Sequence, residues 1–200
     1  MIYTILKYIF KVIYSIFFRA RVEGIENIPV EGPVIIAANH MSNWDPMLLG
    51  TYICRNIHYM AKEELFRIPV ISWILHQCHT FTVKRGAADR SAIKTAAKVL
   101  KEGHCIALFP EGTRSRSGRM RKAEPGVALI AKLSGAVVIP AAISGSDRIL
   151  NKGCFLPKLK LSFGTPMKYT AEKADKESLH EFAQSVMDEV AKIKEEIEKR

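Results

Sequence analysis

Residues 34–54 read VIIAANHMSNWDPMLLGTYIC. The order of residue types in this stretch decides the fold. Val34 to Ala38 is an unbroken apolar run after the turn Val30-Glu31-Gly32-Pro33, the pattern of a strand buried on both faces. At Asn39 the run gives way to polar residues. Asp45 then stands directly before Pro46, a side-chain cap followed by the residue whose fixed φ suits the first helical position. A helix is predicted from there to about Cys54. A buried strand that feeds a helix through a short polar turn is one unit of a layered α/β fold.

The same alternation continues outward. His58–Ala61 and Thr80–Val83 have strand composition, and KEELFRIPVISWILHQC between them predicts two short helices broken at Pro69. Ser91–Glu102 puts Ile93, Ala96, Ala97 and Leu100 at helical spacing and stops at Gly103. Ile106–Phe109 is a short strand entering Pro110, Pro125–Leu133 a helix with proline at its start, and Val137–Ile143 and Leu159–Phe163 are strands. Ser178 and Glu181 have capping-box spacing. In the helix they head, 178–198, Leu179, Phe182, Val186, Val190, Ile193 and Ile197 form one apolar stripe. The expected fold is α/β, a mixed sheet flanked by helices. Sites in such sheets gather at strand ends, where His40 and the segment after Phe109 both fall.

The chain of 200 residues is 48% hydrophobic and 25% charged, which suits one domain with a real core and excludes a disordered chain. No repeat or long linker divides it. Residues 1–24 are set apart as a hydrophobic, membrane-associated helix, and 25–200 form one domain with its motif core at 34–145. Thirty Lys and Arg face twenty Asp and Glu, a net charge of +10, which suits nucleic acid, an anionic membrane or phosphorylated substrates. Nucleic acid fits poorly, because no aromatic stacking face is interleaved with the basic residues and no known nucleic-acid module is visible. Cys54, Cys78, Cys105 and Cys154 are widely spaced with no CxxC. They carry no zinc or redox signature, and a reducing compartment is the simple reading.

The amino terminus, MIYTILKYIFKVIYSIFFRARVEG, is rich in Ile, Tyr and Phe, with Lys7 and Lys11 inside it and Arg19 and Arg21 at its close. A spanning helix needs ~20 mostly apolar residues, so this segment is borderline. It has no small-residue cleavage site of the kind that ends a signal peptide. Lys7 and Lys11 share a helix face, while Ile2, Ile5, Ile9, Val12, Ile13 and Ile16 cover much of the rest. That coverage is wider than one packed face needs. It predicts a helix lying in the membrane interface, monotopic or peripheral, with its basic end on the cytoplasmic side. The alternative is a helix packed on the protein's own core.

Two stretches carry chemistry. In the first, His40 sits in the turn after the strand and Asp45 five positions on. A carboxylate on one imidazole nitrogen fixes the tautomer and leaves the other nitrogen free as a base. No serine or cysteine nucleophile is needed if the substrate brings its own hydroxyl. Asp45 is equally explained as the cap before Pro46, so these residues alone leave both roles open. The second stretch is FPEGTRSRSGRMRKAEPG, residues 109–126, with five cations at Arg114, Arg116, Arg119, Arg121 and Lys122. A strand that opens into a glycine-containing, arginine-rich loop can hold a phosphate through backbone N–H groups and a forked guanidinium. A solvated basic loop is the plain alternative. Lys62, Lys84 and Arg85 lie near strand ends, where they add positive field. His76 and His79 lack a third ligand, so no metal site is expected.

Together these segments resemble the glycerolipid acyltransferases, the 1-acylglycerol-3-phosphate acyltransferases. Asn39, His40 and Asp45 match that family's NHxxxxD motif, with Ser42 and Pro46 also fitting. KEELFRIP followed by FTVKR with Arg85 matches a second motif, FPEGTRS at 109–115 a third, and Val138-Ile139-Pro140 running into AAISG a fourth. The four stand in order over about residues 34–145. Ser72 and His79 depart from the glycines frequent in the family. The resemblance implies transfer of a fatty acyl group from a thioester to the hydroxyl of lysophosphatidic acid, giving phosphatidic acid, with another lysophospholipid or glycerol 3-phosphate as the alternative acceptor. By the family's pattern His40 is the general base and Asp45 orients it. Glu111, Gly112, Thr113 and Arg114 bind the acceptor, Arg114 as phosphate ligand, and Lys62 and Arg85 support them. The implied donor is acyl-coenzyme A or acyl carrier protein, with no metal or organic cofactor, at the cytoplasmic face of the cell membrane. A non-catalytic protein that binds anionic lipid is the rival from another class. A phosphate-handling hydrolase is weaker, since Ser42 lacks a G-x-S-x-G setting.

Overall fold

The computed structural model describes residues 2–83, 89–115, 120–150 and 156–199. Helix α1 (Ile2–Ile16) leads into the short strand β1 (Arg21–Glu23). Strand β2 (Val34–Ala38), helix α2 (Asp45–Tyr52) and strand β3 (Ile57–Lys62) follow. A 3-10 turn at Glu63–Arg67 and helix α3 (Pro69–Gln77), divided at Pro69 as the sequence predicts, lead to β4 (Thr80–Val83). Then come α4 (Arg90–Lys101), β5 (Cys105–Leu108), α5 (Gly126–Ser134) and β6 (Val137–Ser144). Strands β7 (Lys160–Phe163) and β8 (Met167–Lys168) precede the last helix, α6 (Lys176–Lys199).

The sheet has the order β1-β7-β6-β2-β5-β3-β4, with β8 pairing on β6. The run from β6 to β4 is parallel, whereas β7 and β8 are antiparallel to β6. This is the mixed sheet expected from the alternation of elements. Strand β2 lies at its centre, between β5 and β6, and all five of its residues are buried. Strand side chains alternate between faces. Val34, Ile36 and Ala38 join Tyr14, Phe18, Leu48 and Leu49 on the α1–α2 side. Ile35 and Ala37 join Ala96, Leu100, Val127, Ala131, Ala183 and Val186 on the α4–α5–α6 side. Two layers of helices thus enclose one sheet.

Helix α3 continues the direction of the β2–α2–β3 crossover, so the right-handed rule puts it on the α1–α2 side. The Tyr3 and His79 rings, 5.9 Å apart, join the start of α1 to the end of α3. None of the residues of α3 is buried.

Three local expectations are corrected. Asp45 is not a side-chain cap. Trp44 occupies the N-cap position of α2, and the Asp45 carboxylate turns back onto the preceding loop. The last helix starts at Lys176, and its cap is Asp175, whose Oδ1 accepts the Ser178 N–H at 2.8 Å. The Ser178 hydroxyl instead donates to the Lys173 carbonyl, so the Ser178–Glu181 box does not form. The amino-terminal helix covers Ile2–Ile16 rather than residues 1–24, because Arg21–Glu23 pairs with β7 as part of the sheet. It docks one face on α2, burying Tyr3 and Tyr14, while Ile5, Tyr8, Ile9, Val12, Ile16 and the following Phe17 are exposed. Among the described residues no helix is long and apolar enough to cross a membrane. At a 1.5 Å rise per residue, the 15 residues of α1 reach only about 22 Å, short of the ~30 Å hydrocarbon layer. Cys54 is exposed, whereas Cys105 is buried and its thiol pKa is pushed up to about 12 by that burial.

Candidate active site

The site forms where β2, β5 and β6 end together. Ala37 pairs with Leu108, so three residues further along each strand His40 lies level with Glu111. Asn39, 1% exposed, locks the end of β2 to β6. Its Nδ2 donates to the Ile143 carbonyl at 3.0 Å and its Oδ1 accepts the Ile143 N–H at 2.7 Å. This role is absent from any local reading of the sequence, because Ile143 is 104 positions away.

His40 is held on four sides. Its backbone N–H donates to Glu111 Oε1 at 2.9 Å, and its carbonyl accepts the Ser115 N–H at 2.8 Å. Its ring stacks on Phe109 with centroids 4.0 Å apart and planes inclined by 18°. Its Nδ1 lies 2.9 Å from Asp45 Oδ2. A carboxylate at that distance assigns the proton to Nδ1 and leaves the lone pair on Nε2. His40 is 8% exposed, so the free nitrogen sits at the edge of the core.

Asp45 is fully buried. Its Oδ2 also accepts the backbone N–H groups of Met41 at 2.7 Å and Ser42 at 2.8 Å. One oxygen therefore closes the turn and aims the imidazole. The other, Oδ1, is buried with no hydrogen-bond partner among the described residues. The expected sharing of roles between helix cap and imidazole is replaced by sharing between loop and imidazole.

The second stretch folds over this pair. Gly112 has φ +67°, a left-handed conformation that a side chain would strain, and its N–H donates to the Phe109 carbonyl at 3.0 Å. The resulting tight turn points Glu111 inward and Arg114 outward. Glu111 is 4% exposed, and its Oε2 accepts the Arg121 N–H at 3.1 Å. Arg121 Nη1 donates to Thr113 Oγ1 at 2.8 Å. Arg114 reaches across to the first stretch, where its Nη1 donates to Asn43 Oδ1 at 2.9 Å in an exposed pair. A guanidinium is thereby held beside the His40 turn, open to a ligand.

Of the site residues read from the sequence, His40, Asp45, Glu111, Gly112, Thr113 and Arg114 come together. Lys62 is exposed at the end of β3; Tyr59 pairs with Ala107, so Lys62 lies level with Pro110. Arg85 lies outside the described residues, as do Lys84, Arg116 and Arg119. Asn43 and Phe109 were missed as site residues. Their signal was present, since both stand inside the two motifs, but a stacking ring and an exposed amide announce nothing without their partners.

This geometry has known counterparts. The family model described as acyltransferase matches residues 19–144. A 1-acyl-sn-glycerol-3-phosphate acyltransferase of Bacillus subtilis is 37% identical over 161 residues, covering 78% of each chain. One of Streptococcus pneumoniae is 27% identical over 98% of this chain and 74% of its own. Among solved structures, the 1-acyl-sn-glycerophosphate (LPA) acyltransferase PlsC of Thermotoga maritima superposes with a TM-score of 0.81 at 29% identity, over 99% of this chain and 80% of that one. The match spans the strand ends that carry His40 and Glu111 as well as the helices behind them, and on these grounds the chain belongs to the acyltransferase family.

Proposed function

We propose that the protein moves a fatty acyl group from an acyl thioester to the free hydroxyl of 1-acyl-glycerol-3-phosphate, giving phosphatidic acid. The observation that carries this reading is the His40–Asp45 pair with Arg114 beside it. His40 Nε2 takes the proton of the acceptor hydroxyl as its oxygen attacks the thioester carbonyl. The buried Asp45 carboxylate balances the imidazolium that forms. The C–S bond then breaks, and the imidazolium returns its proton to the departing thiolate. General-base assistance of this kind is worth ~10²–10⁴ in rate. Arg114 binds the acceptor's phosphate through its fork, with Lys62 and Arg85 adding positive field. The donor, acyl-coenzyme A or acyl carrier protein, is anionic in either case and suits the net charge of +10.

The acceptor comes from a membrane, and helix α1 (Ile2–Ile16) with Phe17 after it is part of the docking surface. Among the described residues, twelve of the sixteen exposed large hydrophobic side chains belong to α1 with Phe17 or to the Leu65–Ile74 segment containing α3, and these two helices lie on the same side of the sheet. Trp73 in α3 is 54% exposed. An apolar patch gathered there, with Lys11 and Arg67 exposed around it, suits an anionic bilayer surface on the cytoplasmic side; Lys7 instead turns its ammonium onto the Ile53 carbonyl.

The test is direct transfer. Purified protein in vesicles receives radiolabelled lysophosphatidic acid with either donor, and His40→Ala runs in parallel. Phosphatidic acid from the native protein and none from the variant is the expected result. Equal product from both would remove His40 as the base, and no product from the native protein with either donor would overturn the reaction.

A further inference from the structure

We propose that Glu111 is a positioning residue that acts through the backbone of His40, not a ligand of the acceptor as its place in the EGTR segment implies. The inference rests on the reading of His40 as the base. Glu111 is 4% exposed, so its carboxylate faces the interior rather than the open side where Arg114 stands. Both of its oxygens are in use. Oε1 accepts the N–H of His40 at 2.9 Å and Oε2 accepts the N–H of Arg121 at 3.1 Å.

These donors are main-chain groups of two separate segments and cannot swing aside for a ligand. Turning the carboxylate toward an acceptor would orphan the buried His40 N–H, at ~1–3 kcal/mol, and release the part-buried Arg121 N–H as well. The exposed Arg114–Asn43 pair is the opposite case, since water or a phosphate can replace either partner at little cost. Charge points the same way, because a carboxylate repels the phosphate that Arg114 would attract.

The register explains how the clamp arises. Because β2 and β5 pair with Ala37 opposite Leu108, residue 111 is delivered beside residue 40. Asp45 fixes the imidazole's orientation from the Nδ1 side. Glu111 and the Ser115 N–H fix the backbone that carries the ring. The same carboxylate ties His40 to Arg121, and Arg121 in turn to Thr113. Thr113, Ser115 and Arg121, on either side of residues 116–119, are thus tied to the base, which keeps the turn that carries Arg114 in register with Nε2.

The experiment uses Glu111→Gln in the vesicle assay, once the native protein has shown His40-dependent transfer. The amide keeps the size and one acceptor oxygen, but its NH₂ cannot accept the other N–H, so one of the two bonds is lost. Displacement of a base by a fraction of an ångström should lower kcat ~10–100-fold, with the acceptor KM within about twofold of the native value. A KM raised ~10-fold or more with kcat retained would make Glu111 an acceptor ligand, and both constants unchanged would equally overturn the proposal. A second readout holds even if the variant is less stable. In protein labelled with ¹³C-histidine and kept below its melting range, the His40 ring signal, assigned by its loss in His40→Ala, should move or broaden in Glu111→Gln. The signals of the other five histidines should stay. An unmoved His40 signal would refute the clamp. Loss of all activity in the native protein would instead strike at the acyltransferase reading and leave the spectroscopic test standing.

Discussion

Asp45 Oδ2 lies 2.9 Å from His40 Nδ1, and the same oxygen accepts the N–H groups of Met41 and Ser42. Structure and chemistry therefore share one atom. Asp45→Ala leaves these donors without an acceptor in a buried site and should cost ~1–3 kcal/mol, a fall in melting temperature of several degrees. Its turnover should fall at least ~10²-fold. Asp45→Asn keeps an acceptor oxygen while removing the charge. It should retain most of the stability and still lose turnover, as calorimetry beside the transfer assay will show. Native-like turnover in Asp45→Asn would mean that the carboxylate's charge does not assist the base.

Arg114 is exposed, and among the described residues its guanidinium donates sideways to Asn43 Oδ1. Arg114→Ala should leave the fold unchanged and raise the KM for the phosphorylated acceptor ~10–100-fold, the worth of a charge-assisted bond or two. Asn43→Ala should raise it less, since it removes only the group that parks the guanidinium. Steady-state kinetics over a range of lysophosphatidic acid decides the matter. An unchanged KM in Arg114→Ala would remove it as the phosphate ligand.

Membrane docking should be shared between α1 and α3. Ile9→Glu in α1 and Trp73→Ala in α3 each remove exposed apolar surface without touching the core, so melting temperature should hold while sedimentation with anionic vesicles weakens. Burying a large side chain is worth ~1.5–3 kcal/mol, which predicts a drop of about tenfold or more in partitioning for each. Added salt should weaken binding through screening of the cationic rim. Full retention of binding in both variants would place the docking surface elsewhere.

At the opposite end of β3 from the site, His58 stacks between His79 and His104 with centroids 5.1 and 4.8 Å away. Burial first, then its two imidazole neighbours, lowers its pKa from 6.5 to about 4, with Glu102 opposing. The unfolded chain takes up this proton near pH 6.5 and the folded protein only near pH 4. Stability is therefore full above 6.5 and is lost as pH falls toward 4. The ring is only half-buried, so after screening the effect is on the order of 1 kcal/mol. His58→Gln should flatten the fall in melting temperature across that window; an unaltered slope would assign the acid sensitivity to other groups.

Asn39 offers a test of the sheet's lock. Asn39→Ala leaves the N–H and carbonyl of Ile143 unpaired in a buried position, which should cost ~1–3 kcal/mol. Thermal unfolding measures this directly, and a loss under a few tenths of a kcal/mol would show that the β2–β6 pairing suffices by itself.

The local architecture was legible in the sequence wherever one segment's own pattern dictated its form. Val34–Ala38 reads as a buried strand because nothing polar interrupts it, and Pro46 and Pro69 mark helix starts by backbone geometry alone. The pairing of His40 with Asp45 was legible too, since five positions across one turn bring the two side chains together regardless of the rest of the chain. Caps were less so. Asp45 and Ser178 have the side chains of N-caps, yet each finds better-placed donors or acceptors nearby, and Trp44 and Asp175 take the cap positions.

What the tertiary structure decided lies in contacts between distant segments. Glu111 reaches His40 across 71 positions and Asn39 reaches Ile143 across 104. Both follow from β2 lying between β5 and β6, an order that local propensity does not encode. The gathering of α1 and α3 on one side of the sheet is likewise a consequence of strand order and crossover hand. Composition alone supplied the residues able to form a base, its orienting carboxylate and a phosphate ligand. Strand register brought them within reach of one another, because only a paired sheet converts a separation of 71 residues into one of 2.9 Å.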